Sequence, residues 1–136
     1  MFELTMEKAV QFAREAIEEK GEDFVYSPHP PSSDGPACTY AVVQNDEAVP
    51  DCIVGNILHR LGLPMDDFVW RDGGRAGKYS TGAAYGLLSE LELDEVLAPV
   101  SEDVRAFLYR LQYSQDDGYP WGESLRVALG AVNDSE

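Results

Sequence analysis

Ser101-Glu102-Asp103-Val104-Arg105-Ala106-Phe107-Leu108-Tyr109-Arg110-Leu111-Gln112-Tyr113-Ser114-Gln115-Asp116-Asp117-Gly118-Tyr119-Pro120-Trp121 is the stretch whose reading decides the fold. Ser101 offers an N-cap hydroxyl, and Glu102 and Asp103 follow where a helix N-terminus favours negative charge. Val104, Phe107, Leu108 and Leu111 recur at three- and four-residue spacing, which predicts an amphipathic helix with one buried stripe. Asp116-Asp117-Gly118 predicts a turn. Pro120 suits the first position of a further helix, in which Trp121, Leu125, Ala128, Leu129 and Val132 face inward.

Working outward, the same period recurs. Thr5 predicts the N-cap of a first helix ending at Lys20, with Gly21 closing it and Met6, Ala9, Val10, Ala13, Ala16 and Ile17 as its stripe. Asp51 reads as the N-cap of a second helix, Cys52 to Leu61, closed by Gly62 and barred from continuing by Pro64. Ser80 or Thr81 reads as the cap of a third, with Ala84, Leu87, Leu88 and Leu91 facing the core. Strand signals are shorter. Phe24 to Tyr26 and Cys38 to Val43 read as strands that pair antiparallel across a Pro-rich loop, residues 27–36; Phe68 to Trp70 reads as a third. Residues 44–50 read as a polar connection, 71–78 as a Gly-rich basic loop and 133–136 as a frayed tail. The expected fold is one α+β domain over residues 1–136, mainly helical, with four or five helices around a small two- or three-stranded antiparallel sheet.

Composition bounds the function. The chain has 136 residues and a formal net charge of −15, which opposes broad binding to nucleic-acid phosphates or anionic membranes and can steer basic partners. An acidic proteome explains the same charge without any functional role. No apolar run approaches the roughly 18 residues a membrane span needs. The acidic opening, Met1 to Glu7, lacks signal-peptide character, and two cysteines are too few for a disulfide scaffold. The expectation is a cytoplasmic protein with both thiols reduced.

Five groups of residues could carry chemistry. Cys52, at the start of a helix, would gain acidity from the helix dipole. His59 lies about 10 Å further along the axis, too far for a dyad, and Asp51 opposes the thiolate. A buried, quiet thiol is the plainer reading. Neither the cysteines nor the histidines have metal-ligand spacing, and Asp66-Asp67 and Asp116-Asp117-Gly118 lack the alternating acids of a calcium loop, so no metal and no cofactor is expected. Asp72 to Tyr79 fails the phosphate-loop pattern at both ends, which leaves Arg71, Arg75 and Lys78 as candidate anion-binding residues or as partners for the protein's own carboxylates. Glu90 to Asp103 holds six carboxylates and no basic residue, which fits either a DNA-mimicking face or a solvated one. Tyr109, Tyr113 and Tyr119 gather near the last turn, Tyr109 and Tyr113 on one side of a helix, where tyrosine suits a protein interface.

Pro50-Asp51-Cys52-Ile53-Val54-Gly55-Asn56-Ile57-Leu58 and Leu111 to Trp121 together resemble small uncharacterised acidic proteins of actinobacteria and their phages. The shared features are a helix opening Cys-x-x-Gly and a Gln-Asp-x-Gly-x-x-Trp turn into a last helix. The resemblance implies no activity; it implies a phage or prophage accessory protein working in the host cytoplasm. Gly55, one turn into its helix, costs roughly 1 kcal/mol against alanine and implies close approach by another element, the first helix or the sheet.

The leading expectation is therefore a non-enzymatic binding protein that docks on a host or cellular protein through Tyr109, Tyr113 and Tyr119. The alternatives are a small enzyme or anion binder using Cys52 with Arg71, Arg75 and Lys78, and an acidic DNA mimic through residues 90–103.

Overall fold

Helix signals in the chain become five α-helices among the described residues: α1 (Met6–Lys20), α2 (Ile53–Leu61), α3 (Ala84–Leu93), α4 (Glu102–Asp116) and α5 (Trp121–Asp134). The computed structural model describes residues 1–27, 39–69, 77–80 and 83–134, with side chains as far as residue 130. Two strands, β1 (Ala41–Gln44) and β2 (Glu47–Pro50), form one antiparallel hairpin, and a 3-10 turn spans Met65–Phe68. The mainly helical α+β architecture is as expected.

Several local rules act as read. Thr5 Oγ1 accepts from Lys8 N–H at 3.2 Å, and Ser101 Oγ from Val104 N–H at 3.3 Å, so α1 and α4 start where their caps predict. Gly21 and Gly62 close α1 and α2 at positive φ, which a Cβ would oppose. The predicted stripes face the core: Ala9, Ala13, Ala16 and Ile17 are buried on α1, with Met6 and Val10 half-buried, as are Ala84, Leu87, Leu88 and Leu91 buried on α3 and Val104, Phe107, Leu108 and Leu111 on α4. They join one continuous core running from Leu4 to Ala128. Helix α4 is its axis, packed against α5, α3, α2 and α1.

The sheet departs from expectation. Phe24 to Tyr26 forms no strand and pairs with none among the described residues; the Phe24 carbonyl instead accepts from Trp121 N–H at 2.8 Å. The partner of β1 is the adjacent segment read as a polar connection, in register Ala41↔Pro50 to Gln44↔Glu47. Asn45 and Asp46 make this possible by adopting positive φ (52° and 63°), the geometry of a tight hairpin turn that these two residue types tolerate best after glycine. In place of a third strand, Phe68 ends the 3-10 turn and Val69 makes a single parallel bridge to Ala41. Trp70 lies outside the described residues, as do residues 28–36 of the Pro-rich loop, Cys38, and Arg71 and Arg75 of the basic loop.

Two helix starts shift. The N-cap of α2 is Cys52 rather than Asp51, and that of α3 is Ala83 rather than Ser80 or Thr81; neither makes a side-chain cap bond. Helix α5 begins at Trp121, one residue after Pro120, whose carbonyl accepts from Ser124 N–H. It continues to Asp134, so 133 and 134 belong to the helix and not to a frayed tail.

Cys52 is fully buried and disulfide-bonded, which corrects the expectation of two reduced thiols. The chain's other cysteine is Cys38. Cys52 N–H donates to the Thr39 carbonyl at 3.0 Å, so the backbone fold carries the neighbour of Cys38 directly to Cys52. A separation of thirteen intervening residues gave no sign of that approach.

Candidate functional site

Gln112 and Gln115 solve the capping problem that Cys52 and Ala83 leave open. A helix start buried without a partner for its N–H groups is costly. Gln115 Oε1 accepts from Ile53 N–H, the first residue of α2, at 2.8 Å, and from the Trp121 indole at 3.1 Å. Gln112 Oε1 accepts from Ala84 N–H, the first residue of α3, at 2.8 Å, while its Nε2 donates to the Tyr40 hydroxyl at 2.9 Å. Both glutamines are buried, and together they tie α2, α3 and α5 to the axis helix. Burial raises the Tyr40 phenol to about 12, so it stays a neutral hydroxyl.

Tyr26 forms a second buried polar joint. Its hydroxyl accepts from Thr39 N–H at 3.0 Å and donates to Asp51 at 2.6 Å. Desolvation, and then the Asp51 carboxylate, push its ionisation far above the ordinary range. These joints draw on the stretches Pro50 to Leu58 and Leu111 to Trp121. Gln115 bonds both the Cys-x-x-Gly helix and Trp121, and Gly55 sits against the Tyr40 carbonyl, just before β1, where an added Cβ would lie 1.9 Å from that oxygen. Their role is architectural.

With the inward side of α4 committed to packing, its outward side carries the tyrosines. Tyr109, Tyr113 and Tyr119 are 40%, 63% and 41% exposed, so the aromatic patch exists on the surface. Glu102, Ala106, Tyr109, Tyr113 and Asp117 follow one another at three- and four-residue spacing and therefore share one stripe. Tyr85 of α3 extends it: its ring lies 5.5 Å from Tyr109, which lies 6.0 Å from Tyr113. The Tyr85 hydroxyl donates to Glu102 at 2.8 Å, a bond that raises its ionisation. Between α4 and α5 this stripe opens into a shallow groove of about 440 Å³, lined by Tyr109, Arg110, Tyr113, Ser114, Asp117, Tyr119 and Val127. Arg110 makes no ion pair among the described residues, whereas Arg105 is held by Glu92 and Arg126 by Glu123.

Arg110, Tyr85, Glu102 and Val127 were not singled out in the sequence as parts of this site. Arg110 had a signal, because it sits three residues before Tyr113. Tyr85 and Val127 had none, since only helix packing brings α3 and α5 beside the α4 tyrosines.

The other candidate groups are engaged elsewhere. Lys78 Nζ lies 2.8 Å from Asp94, whose carboxylate also accepts from Tyr79; the described part of the basic loop is thus docked on the protein's own acid. Within the acidic run, Glu92 accepts from Val100 N–H and pairs with Arg105, Asp94 is held by Lys78, and Glu102 by Tyr85. Cys52, as a disulfide sulfur, offers no thiolate for attack. Among the described residues, no three His, Cys, Asp or Glu side chains converge as a metal site. No described helix is long and apolar enough to cross a membrane.

The molecule is thus a mainly helical α+β protein with a tyrosine-lined groove along its axis helix. No protein-family model matches the chain, and searches of curated proteins and of solved structures find no match.

Proposed function

We propose that the chain is a non-enzymatic docking protein that holds a protein partner on the tyrosine stripe of α4 and its groove with α5. The observation that supports this most directly is the exposed cluster of Tyr109, Tyr113 and Tyr119 around Arg110, a cation with no ion pair among the described residues of a protein of net charge −15. Tyrosine and arginine are enriched among the residues that dominate protein interfaces: tyrosine covers much area with only two side-chain torsions, and the planar arginine fork pairs with carboxylates and stacks on rings. A partner carboxylate would complete Arg110, and apolar partner atoms would cover the rings.

The test is affinity capture by wild-type protein and by a Tyr113→Ser/Tyr119→Ser double variant. Partners retained by the wild type should be lost by the variant, while circular dichroism and melting stay unchanged. Equal capture by both proteins would move the interface to another surface.

A further inference from the structure

We infer that the occupant of this groove is a basic segment of a partner protein, with Arg or Lys side chains lying across the tyrosine rings; this deepens, and rests on, the docking reading above. The surface that frames the stripe is one-sided in charge. From Ala83 to Val127 the chain carries nine Asp and Glu against three Arg. Ion pairs remove Arg105 with Glu92 and Arg126 with Glu123, and Lys78 holds Asp94, so six acids remain against Arg110. Arg110 is left to one partner carboxylate. Of the acids in this window without an ion pair among the described residues, two stand at the ends of the stripe. Glu102 holds Tyr85 at one end, and Asp117 lines the groove beside Tyr113 at the other.

Ring faces attract guanidinium and ammonium groups, and carboxylates close by attract the same cations. Asp117, the C-cap of α4, lies fifteen positions after Glu102, about 22 Å at 1.5 Å per residue. A segment with cations near both ends and apolar residues between them matches that spacing. The net charge of −15 supplies long-range attraction for the same ligand and repels a second copy of this chain.

A peptide library displayed on phage, selected on immobilised wild-type protein and counter-selected on the Tyr113→Ser/Tyr119→Ser variant, tests the inference. Variant-sensitive peptides should be enriched in Arg and Lys on either side of an apolar centre. A synthetic copy of the best one should bind about fivefold more weakly to a Glu102→Gln/Asp117→Asn variant, in which every ring is kept, and with a flatter salt dependence. Variant-sensitive peptides that are neutral or acidic, or full affinity for the Gln/Asn variant, would overturn the basic occupant and leave the docking groove standing. If no selected peptide distinguishes wild type from the tyrosine variant, the groove itself is wrong and the inference falls with it.

Discussion

Gln115 and Tyr113 lie two positions apart on α4 and play opposite parts. Gln115 is 1% exposed and satisfies two buried donors on other elements; Tyr113 is 63% exposed. Replacing Gln115 with alanine leaves the Ile53 N–H and the Trp121 indole without acceptors. A buried unsatisfied donor costs about 1–3 kcal/mol, so Gln115→Ala should lose roughly 3 kcal/mol in urea unfolding, whereas Tyr113→Ser should stay within about 0.5 kcal/mol. A loss below about 1 kcal/mol for Gln115→Ala would mean that water replaces it as the cap. Gly55 is the other single-residue constraint. Alanine has the better helix propensity by roughly 1 kcal/mol, yet here its Cβ would meet a backbone carbonyl that cannot rotate away. Gly55→Ala should therefore destabilise by about 3 kcal/mol or more, measured the same way. A neutral result would show that α2 can slide off Tyr40.

At the scale of elements, the segment 77–80 is fastened to the end of α3. Lys78 and Tyr79 both reach Asp94, and these bonds, that from Lys78 first, lower the Asp94 carboxyl below its ordinary range. A carboxyl whose folded value is lowered stabilises the fold fully above its unfolded value and loses that contribution as pH falls through the lowered one. Because the pair is exposed to solvent, its contribution is small. Thermal melts of wild type and Asp94→Asn should differ most near neutral pH and converge once the carboxyl is protonated in acid. A difference that persists or grows in acid would mean the ion pair is not what fastens the segment.

At the scale of the molecule, charge and core oppose one another. The hydrophobic core is continuous, but 25 carboxylates face only ten Lys and Arg, and the ion pairs described sit mostly near the surface. Self-repulsion of that size loosens the compact state, and salt screens it. Between about 10 mM and about 150 mM NaCl the screening length falls from roughly 30 Å to roughly 8 Å. The midpoint of unfolding should rise by a few degrees over that range. A fall would show that the specific ion pairs outweigh the net charge.

The helices and their inward stripes were legible because a 3.6-residue period and a local cap act within a few residues of each other, as with Thr5, Ser101 and the Val104–Leu111 stripe. Tyr109 and Tyr113 were legible for the same reason, since they fall off that stripe, and Tyr119 because it follows the Asp116–Gly118 turn signal. What the sequence hid depends on groups far apart in the chain. The hairpin follows from the conformation of Asn45 and Asp46, which removed the need for Phe24 to Tyr26 as a strand. The caps of α2 and α3 come from Gln115 and Gln112, separated by 62 and 28 residues from the amides they satisfy. The backbone bond that brings Thr39 to the disulfide-bonded Cys52 joins segments twelve residues or more apart, and the full stripe needs α3 to dock Tyr85 against Tyr109. Periodicity thus determined which face of each helix is buried. Only the tertiary structure decided which buried polar groups meet, because a lone N–H or glutamine carries no local mark of its distant partner.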